Sequence, residues 1–394
     1  MEPRETLLAR LAGLLANNGI GLTMLTLRPR GRGLGDDSRG QLKRVLAELE
    51  ASSPAPADLV YGNGCFAVGR YVDATAVYRR ILEMHPDDSA AGFNLGLALL
   101  RERRHREGVD ELTSLLAREP RLAEAHYQRG NGNDDLGDHE LALGDYARAI
   151  ELNPDYLQAF YNRGVVLARL GRHQEAVGEF DRVVVLNPEI SNAYLNRGAS
   201  RDELGLHAEA VGDYNEALRC NPDNADALFN RARTNYHLGN IEETIADYSE
   251  VIRLTPGDAE ALNNRGLAFD ALEEYSTALE DYSQAMALRP DFSEALSNRG
   301  AALEALGKLQ EALEDYLAAL AVEPTFAAAH FNAARLYTKQ RDLDRCLPHL
   351  DEAIRLSPEM REDAAQDEHL GWVLRLRELK QRGDNYSENR EDPG

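Results

Sequence analysis

Lysine is scarce in this chain, with Lys43, Lys308, Lys339 and Lys380 the four instances in 394 residues. Arginine carries the rest of the positive charge, a bias that fits a GC-rich bacterial genome. Together the two number 44 against 67 Asp and Glu, a formal net charge of −23. An acidic chain is a poor match for phosphate backbones, so nucleic acid is excluded as the main partner. Cysteine is rarer still. Cys65, Cys220 and Cys346 lie far apart in odd number, which excludes a disulfide framework and suits a reducing compartment. No run approaches the roughly 18 apolar residues of a membrane span. The start, Met1-Glu2-Pro3-Arg4-Glu5, lacks the basic lead and apolar run of a signal peptide. These absences point to a cytoplasmic protein.

Catalytic signatures are missing too. The sequence contains no G-x-x-x-x-G-K-[ST], H-E-x-x-H or G-x-S-x-G. Gly62-Asn63-Gly64-Cys65-Phe66-Ala67 matches G-x-G-x-x-A, but it falls inside a helical pattern with no strand before it. The acidic run from Asn131 to Asp138 lacks the ligand spacing and closing Glu of a Ca²⁺ loop. His139, His173 and His207 recur at one interval and read as structural. No enzyme activity, cofactor or metal is expected.

What is present is a period. Pro86, Pro120, Pro154, Pro188, Pro222, Pro256, Pro290, Pro324 and Pro358 stand 34 residues apart. A fixed period of this size is the mark of a solenoid. Each unit reads as two helices. In 191–224, Tyr194, Leu195, Gly198 and Leu204 give helix A an apolar face, and Gly205 ends it. Ala210, Val211, Tyr214, Ala217 and Leu218 do the same for helix B, and Pro222 stops the chain.

The pattern resembles the tetratricopeptide repeat (TPR). Its marks are a small residue at position 8, Ala at 20, an aromatic at 24, Ala at 27 and Pro at 32. From Leu157 they are Gly164, Ala176, Phe180, Val183 and Pro188; from Ser293, Gly300, Ala312, Tyr316, Ala319 and Pro324. The resemblance implies an all-α fold, an α-α superhelix of nine 34-residue helix-turn-helix repeats over 55–360. Gly at 8 and Ala at 20 would let the two helices close up, and the aromatic would fill the seam to the next repeat. Residues 1–54 form an N-terminal segment with amphipathic helices expected at 4–16 and 40–51, a Gly/Arg-rich flexible loop at 28–40 and an apolar, strand-like stretch at 20–27. A capping helix is expected at 361–383 and a disordered tail at 384–394. Three soft points stand out: Arg103 and Gly108 at unusual positions, the Gly130–Asp135 run, and Pro348 inside the last helix B.

One triplet recurs. Asn162-Arg163-Gly164 returns as Asn196-Arg197-Gly198, Asn264-Arg265-Gly266 and Asn298-Arg299-Gly300. Its Arg, at position 7, is Arg129, Arg163, Arg197, Arg231, Arg265 and Arg299 in six consecutive repeats, where the family more often has Leu. Position 23 of those same repeats holds Asp145, Glu179, Asp213, Asp247, Asp281 and Asp315. The co-occurrence predicts a ladder of Arg–carboxylate pairs, either inside a repeat or across to the next.

The Asn, at position 6, is Asn94, Asn162, Asn196, Asn230, Asn264, Asn298 and Asn332. The resemblance places this position on the concave face, and the row is similar to the asparagine ladder in the TPR domain of O-linked N-acetylglucosamine transferases. An amide offers a donor and an acceptor to a peptide backbone. A helices about 10 Å apart would meet every third residue of a strand advancing about 3.3 Å per residue. The same row could instead be scaffold. Tyr127, Tyr161, Phe229, Arg233, Tyr236, His237, Phe331, Arg335 and Lys339 join it as candidate peptide-binding residues, with Asp134, Asp202, Asp270 and Glu304 between them. No repeat has the Lys at position 5 that holds a terminal carboxylate in chaperone-binding TPRs. The function expected is an interaction scaffold or adaptor that binds a partner protein or extended, partly basic peptide in the groove. The alternative is a targeting subunit that delivers substrates to a separate enzyme, or a regulator whose residues 1–54 contact that partner.

Overall fold

A computed structural model describes residues 2–21, 24, 34–52 and 58–377. Most of the strand-like stretch at 20–27, half of the 28–40 loop, the first residues of repeat one and the 384–394 tail lie outside the described residues. Every regular element among those described is a helix. The chain divides into two units, at Met1–Gly205 and Leu206–Gly394.

In the first unit, α1 (Arg4–Asn17) and α2 (Asp36–Ser52) precede the repeats. The repeat helices then follow as α3 (Leu59–Ala67), α4 (Tyr71–Met84), α5 (Ser89–Arg101), α6 (His105–Arg118), α7 (Ala123–Asp135), α8 (His139–Leu152), α9 (Leu157–Arg169), α10 (His173–Leu186) and α11 (Ser191–Glu203). The second unit holds α12 (His207–Cys220), α13 (Ala225–Leu238), α14 (Ile241–Leu254), α15 (Ala259–Ala271), α16 (Tyr275–Leu288), α17 (Ser293–Ala305), α18 (Leu309–Val322), α19 (Ala327–Lys339), α20 (Leu343–Leu356) and α21 (Met360–Gln366). From α3 to α20 the odd helices are A helices and the even ones are B helices.

The tight A–B joint uses the left-handed backbone region. Gly171 and Gly239 take φ of 74° and 81° there, which only glycine adopts without strain. Arg103, Glu273 and Arg341 hold the equivalent place at φ 60–63°, at about 1–2 kcal/mol each. The ring at position 24 lies on the bare backbone of position 8 in its own repeat. A Cβ on Gly164 would stand 2.9 Å from Cε1 of Phe180. Phe180 is fully buried, worth about 2–3 kcal/mol. The equivalent ring of the repeat before, Tyr146, reaches the seam and clusters with Val166 and Leu167 of the next repeat.

The expected soft points are packed. Helix α7 runs through the whole Gly130–Asp135 stretch. A Cβ on Gly132 would meet Val109 and Leu100 at 2.7 and 2.8 Å, so the site demands a bare backbone whatever the intrinsic propensity. Gly96 and Gly108 face each other in the repeat before, with Leu100 and Leu112 filling the space. Pro348 does not shorten α20, which continues to Leu356. One missing N–H is outweighed there by the burial of Cys346, Leu350 and Ala353.

At the chain's start, α1 and α2 form as expected, although α2 begins at Asp36, inside the anticipated loop. Their leucines join the core of the first repeats, and a Cβ on Gly64 would stand 3.1 Å from both Leu11 and Leu46. The C-terminal cap is not one helix. It breaks after Gln366, and helical turns resume over 371–377. The Asp367 carboxylate accepts from the His369 and Leu370 backbone N–H groups, which starts the second segment as an N-cap does.

The ninth repeat has Ala333 at position 7 and His349 at position 23, and a histidine pair takes the ladder's place. His330 Nε2–H donates to the Pro324 carbonyl at 3.1 Å, so its Nδ1 accepts from His349 Nδ1–H at 2.8 Å. Tyr337 stacks on His349 with centroids 5.6 Å apart. Burial and the facing His330 ring push the His349 imidazole below its ordinary value. The unfolded chain therefore takes up this proton first. The contribution is complete above the ordinary histidine value of about 6.5 and is lost as pH falls below it. Urea unfolding of the full chain should show a midpoint that drops on acidification, with His349→Gln flattening that slope. A slope identical in the variant contradicts the assignment.

Candidate functional site: the A-helix face

The Arg of the triplet belongs to the frame. Arg129 Nε and Nη2 donate to the two Asp145 oxygens at 2.9 and 2.6 Å. Arg231 grips Asp247 the same way at 2.8 and 2.6 Å. Arg265 on Asp281 and Arg299 on Asp315 repeat it at 2.7–2.8 Å. The pairing is inside the repeat, from helix A to its own helix B. Arg163 reaches Glu179 through Nη2 alone at 2.5 Å, leaving Arg163 Nε and Glu179 Oε2 buried without partners.

A further set of residues was not anticipated. A further guanidinium nitrogen of five of the six arginines bonds position 25 of the preceding helix B. Arg129 Nη1 donates to Thr113, Arg231 to Asn215, Arg265 to Ser249, Arg299 to Ser283 and Arg197 to Asp181, at 2.6–3.3 Å. Each such Arg therefore ties one A helix to a second helix in the repeat before it, and four of them also clamp their own helix B. The signal lay in the sequence. A short polar acceptor stands at position 25 before five of the six arginines; Ala147 precedes Arg163, and Leu317 precedes Ala333.

The Asn row is partly committed as well. The Asn162 amide donates to Asn131 Oδ1 at 2.8 Å and to the Tyr127 hydroxyl at 3.1 Å. Asn196 donates to the Tyr161 hydroxyl at 3.0 Å, and Asn298 to Asn263 Oδ1 at 2.9 Å. In each case the acceptor is on the preceding A helix, so the row knits A helices together. The amide oxygens of Asn162, Asn196 and Asn298 accept nothing from the described residues. Asn264 Oδ1 accepts from Asn263 at 3.3 Å. The side chains of Asn230 and Asn332 are partly exposed, with no bond to a described residue.

Asn94 does not fit the expectation. It is fully buried and donates to Asn63 Oδ1 at 2.9 Å, where Tyr78 also donates. Asn63 in turn donates to the Gly21 carbonyl at 2.9 Å. The N-terminal segment thus closes over the first repeats, and Asn94 has no surface for a ligand. Arg335 and Lys339 are a second correction. They are not open cations, because both bind Glu304, at 2.9 and 2.8 Å. Burial acts to raise the Glu304 carboxyl, and these two bonds overcome it and leave it lowered.

The other candidates sit where helical spacing put them. Tyr127 and Tyr161 are partly buried, with burial pushing both phenols up. Tyr127 packs 4.9 Å from the Tyr156 ring, and Tyr161 edges Phe180 at 5.9 Å. Phe331 is partly buried against the cluster of Tyr316 and Tyr337. On α13, Phe229, Arg233, Tyr236 and His237 share the face opposite the buried Leu228, Ala232 and Asn235. Phe229 edges Tyr248 at 5.3 Å, while Arg233 and His237 are exposed. This stripe is aromatic and basic on an acidic chain. Among the described residues no group of three or more His, Cys, Asp or Glu could hold a metal, and no helix is long and apolar enough to cross a membrane.

Comparison with known proteins bears on the frame. Family models described as tetratricopeptide repeat match residues 62–121, 127–189 and 195–259, then 259–292, 293–326 and 327–360. The BBSome complex member bbs-4 of Caenorhabditis elegans is 28% identical over 114 residues. That match covers 29% of this chain and only 24% of the relative. Among solved structures, YrrB, described as a TPR protein with an unusual peptide-binding site, is 23% identical at a TM-score of 0.39, covering 46% of this chain and 93% of its own. PilF of Pseudomonas aeruginosa is 18% identical at a TM-score of 0.47, covering 54% and 97%.

The Arg frame predicts an asymmetric loss. Arg265→Met leaves Asp281, which is 2% exposed, without its cation. The single change should cost toward the lower end of about 3–5 kcal/mol. Arg265→Met with Asp281→Asn should recover much of it in chemical denaturation. Equal or additive losses contradict the pairing.

Proposed function

Because the chain belongs to the tetratricopeptide repeat family, we propose that it is a protein-interaction scaffold that holds an extended segment of a partner protein along the A-helix face. Family membership supports protein or peptide binding in general. The observation that carries it is the α13 stripe. Phe229, Asn230, Arg233, Tyr236 and His237 line one face, and none of them is engaged in an ion pair or a side-chain hydrogen bond to a described residue. Exposed arginine beside part-exposed aromatics is the composition of binding anchors. Within each unit, open amide oxygens, at Asn162 and Asn196 in the first and at Asn298 in the second, suit a strand's backbone N–H groups.

The N-terminal segment is a weaker candidate for the contact. The described leucines of α1 and α2 are spent on α3 and the first core. Selection of linear peptides on the full chain from a random phage-displayed library tests the reading. Selected peptides should lose at least about tenfold in affinity on Asn230→Ala with Arg233→Ala. The circular dichroism and melting temperature of that variant should match the parent. Undiminished binding, or selection of peptides by residues 1–54 alone, sinks the proposal.

A further inference from the structure

Position 12 of the A helices shows an internal rule. At three of its four acidic instances, Asp134, Asp202 and Glu304, the next A helix carries a cation at position 9 or 13. Glu304 takes Arg335 and Lys339, at positions 9 and 13 of the next repeat. Asp134 takes Arg169 at 2.7 Å, again from position 13 of the next repeat. Asp270 is the exception. The repeat-equivalent positions are Ala301 and Ala305, one period before Arg335 and Lys339.

Asp270 is therefore an acid with its counter-ion missing. The Tyr282 hydroxyl donates to its Oδ2 at 2.7 Å. Oδ1 is buried and has no partner. Burial pushes its carboxyl up, with only the Tyr282 hydrogen bond acting the other way. A buried, unpaired carboxylate oxygen is costly, and the cost vanishes when a cation arrives. Ala301 and Ala305 are short and exposed, at the places where an arginine and a lysine stand one repeat later.

We propose that Asp270, followed by Ala301 and Ala305 where Glu304 is followed by Arg335 and Lys339, receives a lysine or arginine side chain of the bound partner. The partner's cation takes the place that the chain's own Arg335 takes at Glu304. This deepens the groove reading and rests on it, since the side chain must be delivered by a segment lying on the A-helix face. Specificity follows from the pairing. A neutral side chain of the same length leaves the carboxylate unpaired, so it is rejected.

Two experiments on the full chain test the pairing. Without any ligand, Asp270→Asn should leave the melting temperature unchanged or raise it, because Asn keeps an oxygen for Tyr282 and removes an unpaired charge. A fall of several degrees shows an internal role for the carboxylate and overturns the proposal. With phage-selected linear peptides, a Lys or Arg should recur at one position. Replacing it by norleucine should cost about tenfold on the parent and nothing on Asp270→Asn. Ala301→Arg should abolish the same preference by supplying the cation from within. Peptides selected without a basic residue, or a norleucine penalty that persists in Asp270→Asn, overturn the pairing while the groove reading stands. If no peptide is selected, both fall.

Discussion

A guanidinium has five N–H donors in a rigid plane, and most of this fold's register depends on how position 7 spends them. Two go to a carboxylate on the same repeat's B helix, as at Arg231 and Asp247. A third goes back to the preceding B helix, at Asn215. Hydrophobic contact alone fixes the spacing of stacked helices loosely, because leucines tolerate sliding. A fork that must meet three acceptors on two helices does not. The partly buried setting makes each pair a device for position more than a source of net stability.

That division of labour explains the recurring Asn-Arg-Gly. The Gly admits a ring from the facing helix, as Phe180 sits on Gly164. The Arg locks the helices. At Asn162, Asn196 and Asn298 the amide spends its N–H on the previous A helix and keeps its oxygen open. Scaffold and ligand contact are thus not exclusive for this residue. The amide that holds the face together is also the one that presents an acceptor on it.

Much of this was legible in the sequence. The proline lattice gave the period, and covariation between positions 7 and 23 exposed the ion pairs without any second sequence. Residues that act through one partner at a fixed offset are readable in this way. The position 25 acceptors were equally regular, yet they change identity among Thr, Asp, Asn and Ser, and so hid as surface variation. Other features depend on contacts that no period encodes. Asn94 looks like its siblings, but it is buried against Asn63, which in turn holds the chain at Gly21. Arg335 and Lys339 look like open cations until Glu304 is placed between them. Helix propensity misled at Gly130–Asp135, because there the neighbours require glycine.

Position 7 joins one repeat to the one before it. A double-mutant cycle on Arg231 and Asn215, read by chemical denaturation of the full chain, tests it most directly. The account predicts a coupling of about 1 kcal/mol between Arg231→Met and Asn215→Ala. Strict additivity of the two losses would contradict it.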